Sequence, residues 1–350
     1  MQKTKDNKGI SMKSDDTLKN INIENSETLD VEKKMSLSKA IAALMIDGIY
    51  EMPYTYDELF IRIYNKEYKV ADFVETDTTI YYDSVNDVIY LDRNLLGKED
   101  SEIIDEFFIH EIIHALQKFG SDGKNRIGLC CGNKGVGLNE AVIHYMASKT
   151  MKMQIERVQD DNLIYYTNNA EYYGYMIGLV IELFEFINPL ITYESCISSN
   201  EKISILMNDI FADDADKVID SFDELYKEYQ NGDFKKMSEI FINAQKLMYK
   251  RFFSINYKKA EDADQLNMVV QKMEDFAKVL AVRVSDGKEV AEDKEDFENF
   301  KSEMHKDYFQ KYLEVDKQQK NTQLVVVKEG ILARFFRWIK EKFNEKNSTN

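Results

Sequence analysis

Residues 101–119 have the sequence SEIIDEFFIHEIIHALQKF, the most informative stretch of the chain. Its apolar residues recur at helical spacing, which predicts one helix that stops at Gly120. His110 and His114 lie four residues apart on one face of that helix, where both imidazoles can bind the same ion. Histidines are costly in such an apolar helix without a polar partner, and a metal ion would supply one.

The glutamate inside this pair gives the stretch a catalytic pattern. HEIIH at 110–114 is the His-Glu-x-x-His arrangement, in which two histidines bind zinc and the glutamate deprotonates a zinc-bound water. The chain has 4 histidines, and two of them fall within these five residues. The competing interpretation is an accidental pair of histidines on a solvated or buried helix face.

A catalytic zinc needs a third protein ligand and an open position for water. An extension to His-Glu-x-x-His-x-x-Gly-x-x-His is excluded, because Gln117 stands at the glycine position and Gly120 at the last histidine position. Residues 120–138 hold six of the chain's 14 glycines and predict an irregular loop, followed by a helix from Asn139. Glu140, in the first turn of that helix, is the candidate third ligand; the alternative is a glutamate favoured only by the helix dipole.

These motifs together resemble the gluzincin class of zinc metallopeptidases, the thermolysin-like group. The resemblance runs from the strand Val88–Leu91 through HEIIHALQ at 110–117 and LNEA at 138–141 to Met153. It departs from the group in two ways. The interval between the two motifs is longer than in thermolysin itself, and His144 stands where an acidic residue is expected to orient a histidine.

The resemblance implies a zincin-like α+β fold with a small sheet, an active-site helix and a helical C-terminal subdomain. It implies that His110, His114 and Glu140 bind one Zn²⁺ and that Glu111 is the general base. It also implies that the strand Asp87–Asp92 is the sheet edge that pairs with an extended peptide substrate.

His144 lies one helical turn beyond Glu140 and should share its face. Two functional roles are open for it, a hydrogen bond to a zinc ligand or an oxyanion donor; the alternative is an ordinary, partly buried histidine. Gluzincins usually supply the oxyanion donor from a downstream His or Tyr. Tyrosines in such positions are more often core residues. The candidates, which the sequence does not rank, are Tyr165, Tyr166, Tyr172, Tyr173 and Tyr175.

The cysteines exclude a disulfide scaffold, because the chain has only 3 of them in 350 residues. Cys130 and Cys131 stand in the glycine-rich loop, where a thiolate could block the open position on zinc or the pair could be redox-active. The simpler interpretation is two small residues in a flexible loop.

Charge and hydropathy exclude other classes. A net charge of −17 argues against a nucleic-acid partner, because phosphate contacts need a basic surface. Residues 1–35 contain no apolar stretch of the kind a secretory signal needs. The most apolar window, Tyr172–Tyr193, contains Glu182 and Glu185 and is better interpreted as a core helix than as a membrane span. We therefore expect a cytoplasmic protein.

Four parts follow one another along the chain. Residues 1–35 predict a disordered polar tail, and residues 36–160 a catalytic subdomain with a small mixed or antiparallel sheet. Residues 161–325 predict a helical subdomain, and residues 326–350 a basic amphipathic helix. The predicted strands are centred on residues 68–70, 79–82 and 88–91, and the chain after Gly97 is predicted to be helical apart from the glycine-rich loop.

The C-terminal segment combines an apolar stripe with basic residues. Apolar side chains between Ile331 and Phe343 recur at helical spacing, while Arg334, Arg337 and Lys340 fall on the other side. Peripheral contact with a membrane surface fits this pattern. Packing onto the protein's own body or onto a partner helix fits it as well.

The sequence as a whole predicts a zinc metallopeptidase that hydrolyses a peptide or protein substrate with zinc-activated water and Glu111 as the base. One alternative is a catalytically inactive zinc-binding protein that keeps the fold and acts by interaction, including at a membrane. Another is a helical interaction protein in which the histidine pair is incidental. The intact Glu111 favours the enzyme, because zinc binding alone does not require it.

Overall fold

Four strands from the N-terminal part form one sheet. The computed structural model describes residues 20–49, 52–74, 78–117 and 126–347, with side chains to residue 321. The strands lie in the order β1-β2-β4-β3 and are β1 (Ile21–Thr28), β2 (Glu67–Phe73), β3 (Ile80–Asp83) and β4 (Val88–Asp92). β2 and β4 are parallel, and the other two pairs are antiparallel. The sheet is therefore small and mixed, as predicted.

β4 lies inside this sheet, so the prediction that Asp87–Asp92 forms its edge is wrong. The four residues from Val88 to Leu91 are all buried. A continuous apolar run of this kind is typical of a strand that is covered on both faces. The outer position beside β4 belongs to β3.

The chain forms regular structure well before residue 36, which corrects the predicted tail of residues 1–35. β1 is polar, and of its 8 residues only Ile21 is buried, so the alternation that marks a strand is limited to Ile21 and Ile23. Pairing with β2 orders it instead. The next helix, α1 (Val31–Gly48), begins at Asp30, whose carboxylate accepts hydrogen bonds from two backbone N–H groups. Residues 1–19 lie outside the described residues.

The predicted helix 101–119 is in fact two helices. After α1, the helices of the N-terminal part are α2 (Tyr56–Tyr64), α3 (Asp100–Ile103) and α4 (Glu106–Leu116). Asp105 separates α3 from α4, because its side chain accepts a 2.8 Å hydrogen bond from the backbone N–H of Phe108 and caps α4. α4 ends at Leu116 with Gln117 in an extended conformation, and the predicted stop residue Gly120 falls outside the described residues.

The C-terminal part is mostly helical, as predicted, but it also contains a second sheet that was not predicted. Its helices are α5 (Val136–Thr150), α6 (Gly174–Phe184), α7 (Pro189–Ser198), α8 (Lys202–Phe211), α9 (Ala215–Asn231), α10 (Phe234–Lys259), α11 (Ala263–Val279) and α12 (Ala291–Asn347). Its strands are β5 (Arg126–Ile127), β6 (Cys130–Cys131), β7 (Glu156–Gln159), β8 (Leu163–Thr167), β9 (Val282–Ser285) and β10 (Lys288–Glu289). The second sheet has the order β10-β9-β8-β7, and β5 pairs with β6 inside the glycine-rich segment.

Turn chemistry explains the second sheet. Asp286 and Gly287 both have positive φ angles, 52° and 70°, as a tight two-residue hairpin requires. The Asp160 carboxylate accepts hydrogen bonds from the backbone N–H groups of Asn162 and Leu163 and so forms the turn between β7 and β8. The Asp-Gly pair is a hairpin signal that is visible in the sequence.

α4 and α5 pack together in the centre of the molecule. Every residue of α4 from Phe108 onward is buried, and so is nearly all of α5. Gly137 permits close packing of α5 on α9, because a Cβ there would lie 2.0 Å from the carbonyl oxygen of Phe222. The Asp223 carboxylate accepts hydrogen bonds from the N–H groups of Gly135 and Gly137, which fixes the start of α5.

The apolar core continues through both halves of the chain. One cluster of buried side chains extends from Leu29 to Phe297. None of the helices in the described part of the chain has the length and apolar composition that a membrane crossing requires. Residues 331–343 belong to α12, but their side chains lie outside the described residues, so the amphipathic stripe stays a prediction.

Candidate metal centre

The helices α4 and α5 bring the three predicted ligands together. One ligand atom each from His110, His114 and Glu140 lies within 4.8 Å of the other two. The two Nε2 atoms are 3.0 Å apart, and the Glu140 oxygens lie 3.4 Å from Nε2 of His110 and 3.3 Å from Nε2 of His114. A tetrahedral zinc with bonds of about 2.0–2.1 Å separates its ligands by about 3.3–3.4 Å, which these spacings approach.

Burial and unmet polarity indicate that this group could hold a metal ion. Glu140 is fully buried, and His110 and His114 are only 2% and 6% exposed. Neither carboxylate oxygen of Glu140 has a hydrogen-bond partner among the described residues. A buried carboxylate without hydrogen bonds is costly, and a cation held between it and the imidazoles would offset that cost.

Two effects oppose each other at Glu140. Burial alone would raise the pKa of its carboxyl group, because the charged form loses its hydration. The neighbouring His114 and His110 side chains outweigh this effect and hold the pKa well below its usual range. Glu140 is therefore ionised at neutral pH, as a metal ligand must be.

A buried hydrogen-bond network sets the relative position of the two ligand helices. Gln117, just after α4, donates from Nε2 to the Asn139 side chain at 2.8 Å and to the carbonyl of Cys196 at 3.2 Å. The same Asn139 oxygen accepts from the backbone N–H of Leu129 at 2.9 Å. Because Asn139 directly precedes Glu140, this network fixes the ligand carboxylate against α4. Sequence spacing did not predict it, since its members are far apart in the chain.

Glu111 contacts β3, the outer strand of the sheet. Its Oε2 accepts a 3.0 Å hydrogen bond from the backbone N–H of Tyr82 in β3. The side chain is only 5% exposed. The predicted general base is thus oriented by the strand that stands at the sheet edge.

His144 contacts the ligand His110 rather than the metal position. Its Nδ1 lies 3.1 Å from Nδ1 of His110, and its Nε2 lies 3.2 Å from Nδ2 of Asn169. Of the two roles open to His144, this geometry supports the hydrogen bond to a ligand. Asn169 was not predicted, because nothing in its sequence surroundings marks it.

The contact between the two Nδ1 atoms restricts the positions of the protons. When His110 binds an ion through Nε2, its Nδ1 carries a proton and donates it to Nδ1 of His144. His144 then carries its own proton on Nε2. This N–H group needs an acceptor, which the amide oxygen of Asn169 could supply. The structure instead places the Asn169 amide nitrogen there, which suits a His110 protonated on Nε2, while the Asn169 oxygen accepts a 3.2 Å hydrogen bond from the backbone N–H of Tyr172. A half-turn of the amide would give the metal-binding arrangement at the cost of that hydrogen bond.

Replacing His144 by alanine is expected to weaken Zn²⁺ binding about 10- to 100-fold, because the Nδ1–H group of His110 loses its acceptor. His144→Asp supplies a carboxylate acceptor and should recover most of the affinity. Competition with a chromophoric chelator measures both dissociation constants. Equal losses in the two variants would show that His144 only fills space.

We call His110, His114 and Glu140 the metal group. Tyr173 is a candidate tyrosine beside it. Its ring centroid lies 6.4 Å from that of His110 and 5.2 Å from that of His144. Burial and the nearby Glu140 carboxylate raise the pKa of Tyr173, so its hydroxyl group stays protonated. Tyr172 also lies near His144, with ring centroids 6.2 Å apart, and packs on Phe107. Tyr166 is in β8, and Tyr165 and Tyr175 pack on each other.

The cysteines do not join the metal group. Cys130 is buried, and its sulfur lies 3.5 Å from the carbonyl oxygen of Gly135, while Cys131 is exposed. Burial and the charge of Glu140 raise the pKa of the Cys130 thiol, which disfavours a thiolate at neutral pH. The structure therefore does not support a thiolate that blocks the metal position.

The predicted ligands thus form one buried group that could hold a metal ion, with the identity of the ion left open by the geometry. Glu111 directly follows His110, and Nδ1 of His144 lies 3.1 Å from Nδ1 of His110. Comparisons of the chain with protein-family models, with curated proteins and with solved structures find no match.

Proposed function

We propose that this chain is a zinc-dependent metallopeptidase of the gluzincin type, which hydrolyses peptide bonds. The observation that carries the proposal is the buried group of His110, His114 and Glu140, with Glu111 next to the first ligand. A metal site with only a structural role would not need a buried carboxylate beside it that is not a ligand.

The ligand set supports zinc as the ion. Two imidazoles and one carboxylate are typical of catalytic zinc sites, which keep a further position for water. His110, His114 and Glu140 would hold the ion. Bound Zn²⁺ would supply Lewis acidity towards the scissile carbonyl group and a lowered pKa for water.

Glu111 would move the protons of the reaction. The hydrogen bond from the backbone N–H of Tyr82 orients its carboxylate, so little reorganisation is needed when it accepts a proton from the attacking water. The same group then passes the proton to the departing amine, which is a poor leaving group without it.

Two further parts of the structure support a peptide substrate. Tyr173 is buried and protonated beside the metal group, which makes it the candidate donor to the developing oxyanion. β3 ends the sheet next to Glu111, and its outer edge is where we place an extended peptide. The edge strand of the proposal is therefore β3 and not the segment Asp87–Asp92.

A peptide library tests the proposal directly. The chain stripped of metal with a chelator is expected to cleave nothing, and cleavage is expected to return when one equivalent of Zn²⁺ is added. Mass spectrometry of the products measures both states. A chain that binds one equivalent of zinc without cleaving any peptide would support the inactive zinc-binding alternative instead.

A further inference from the structure

A cavity of about 470 Å³ is lined by Gly174, the residue that follows Tyr173. Its size is that of a site for a small ligand or a long side chain. We call this cavity the aromatic pocket. The aromatic and acidic side chains that line it are Asp160, Tyr165, Glu171, Tyr175, Tyr229 and Phe234.

The rings of this pocket are arranged edge to face. The centroids of Tyr165 and Tyr175 are 5.0 Å apart with planes at 64°, and those of Tyr175 and Phe234 are 6.5 Å apart at 73°. Phe234 is 53% exposed, so part of its ring is accessible to a ligand. Aromatic walls of this kind attract cations through the electron-rich faces of the rings.

The charge of the pocket is negative. Asp160 and Glu171 line it, and no lysine or arginine of the described part of the chain does. Within the described residues, neither carboxylate forms an ion pair, and the cation–ring contacts involve other tyrosines. Three hydrogen bonds to Oδ1 hold Asp160 in place, two from backbone N–H groups and one from the hydroxyl group of Tyr175.

Tyr173 lies between a wall residue of the aromatic pocket and the metal group. Gly174, which lines the pocket, directly follows Tyr173, and the ring of Tyr229 in the pocket wall lies 4.8 Å from that of Tyr173. Gly174 also permits the close packing of this wall, since a Cβ there would lie 2.6 Å from the hydroxyl oxygen of Tyr165. The Tyr173 ring therefore packs against both the pocket wall and His110 of the metal group.

We propose that the aromatic pocket binds the side chain of a lysine or arginine of the peptide substrate. The alkyl stem would pack on the rings, and the cationic end would lie between the two carboxylates. The net charge of −17 would also attract basic peptides. This inference rests on the proposed function, because it assigns the cation to a substrate residue near the cleaved bond.

Binding to the Glu111→Gln chain tests this inference without requiring cleavage. The probes are acetyl-Ala-Ala-Lys-Ala-Ala-amide, the same peptide with neutral norleucine in place of lysine, and lysine amide alone. Calorimetry is expected to show about tenfold tighter binding of the lysine peptide than of the norleucine peptide. Glu171→Gln and Phe234→Ala should each remove most of that preference.

Matched controls separate the pocket from general charge and folding effects. Glu224→Gln removes an exposed carboxylate outside the pocket, and Phe309→Ala removes another exposed phenylalanine, so both should keep the preference for lysine. Thermal melting should show that all four variants are folded.

Three results would overturn the inference. These are equal affinity for the two peptides, no measurable binding of the lysine peptide, and equal affinity for lysine amide and the lysine peptide, which would indicate a site for free amines. A lysine preference in binding, together with no cleavage by the wild-type chain, would instead leave the pocket assignment standing and remove the proposed peptidase.

Discussion

Replacing Glu111 by glutamine is expected to lower kcat/KM for peptide hydrolysis by about 10³-fold while zinc binding stays intact. Glutamine keeps the shape of the side chain and an oxygen for the backbone N–H of Tyr82, but it cannot accept a proton from water. Because Glu111 is not one of the three ligands, the zinc content should remain at one ion per chain. Steady-state kinetics on a fluorogenic peptide and metal analysis of the same sample measure the two quantities.

The control for this variant lies on the same helix. Glu106 occupies the first turn of α4, and Glu106→Gln changes the charge of the chain equally without touching the metal group. Its kcat/KM should stay within about twofold of wild type. If Glu111→Gln kept more than a tenth of the wild-type activity, Glu111 would not be the general base.

Replacing His110 or Glu140 by alanine is expected to weaken Zn²⁺ binding by more than about 100-fold and to abolish cleavage. Each variant removes one of three ligands, a larger loss than that of a group which only supports a ligand. Competition with a chromophoric chelator at neutral pH measures the affinity. Both side chains are buried, so thermal melting should accompany the titration to show that the chain is still folded.

The fourth histidine provides the comparison for the ligand variants. His305 lies in α12 with a side chain that is 39% exposed, and its Nε2 is 3.3 Å from Glu274. His305→Ala should bind zinc as tightly as wild type. Equal weakening in His305→Ala and His110→Ala would mean that zinc binds to histidines of this chain without a defined site.

Spacing predicted part of the candidate metal group. Two histidines one helical turn apart share one face, and a helix that starts after a long loop can pack against them. Glu140 was a candidate on these grounds beside the helix-dipole alternative, and its role as third ligand came from the resemblance to gluzincins. Its helix was expected to start at Asn139 but begins at Val136, so Glu140 lies beyond the first turn. The convergence of the three residues in one buried group follows from the packing of α4 on α5.

The parts that were not predicted depend on contacts between distant residues. Gln117 and Asn139 meet across 22 positions, and His144 and Asn169 across 25, so no local pattern indicates either pair. β4 is an inner strand because β2 pairs with it on one side. β2 is parallel to β4 and comes from an earlier part of the chain, so local sequence does not indicate this pairing.

The polar N-terminal strand β1 could not be predicted from its composition. β1 has little apolar surface, and its order comes from backbone pairing with β2, which composition does not report. The second sheet is a different case, because the Asp-Gly turn at 286–287 is a local signal of a hairpin. The strands of this sheet were not predicted, because the segments on both sides of them have strong helical patterns.

Zinc-edge anomalous diffraction from crystals of the zinc-loaded wild-type chain tests the central claim most directly. We predict one strong peak about 2.0–2.2 Å from Nε2 of His110, from Nε2 of His114 and from a carboxylate oxygen of Glu140. A zinc peak held by other residues, or a crystal of the zinc-treated chain with no peak between α4 and α5, would contradict the account.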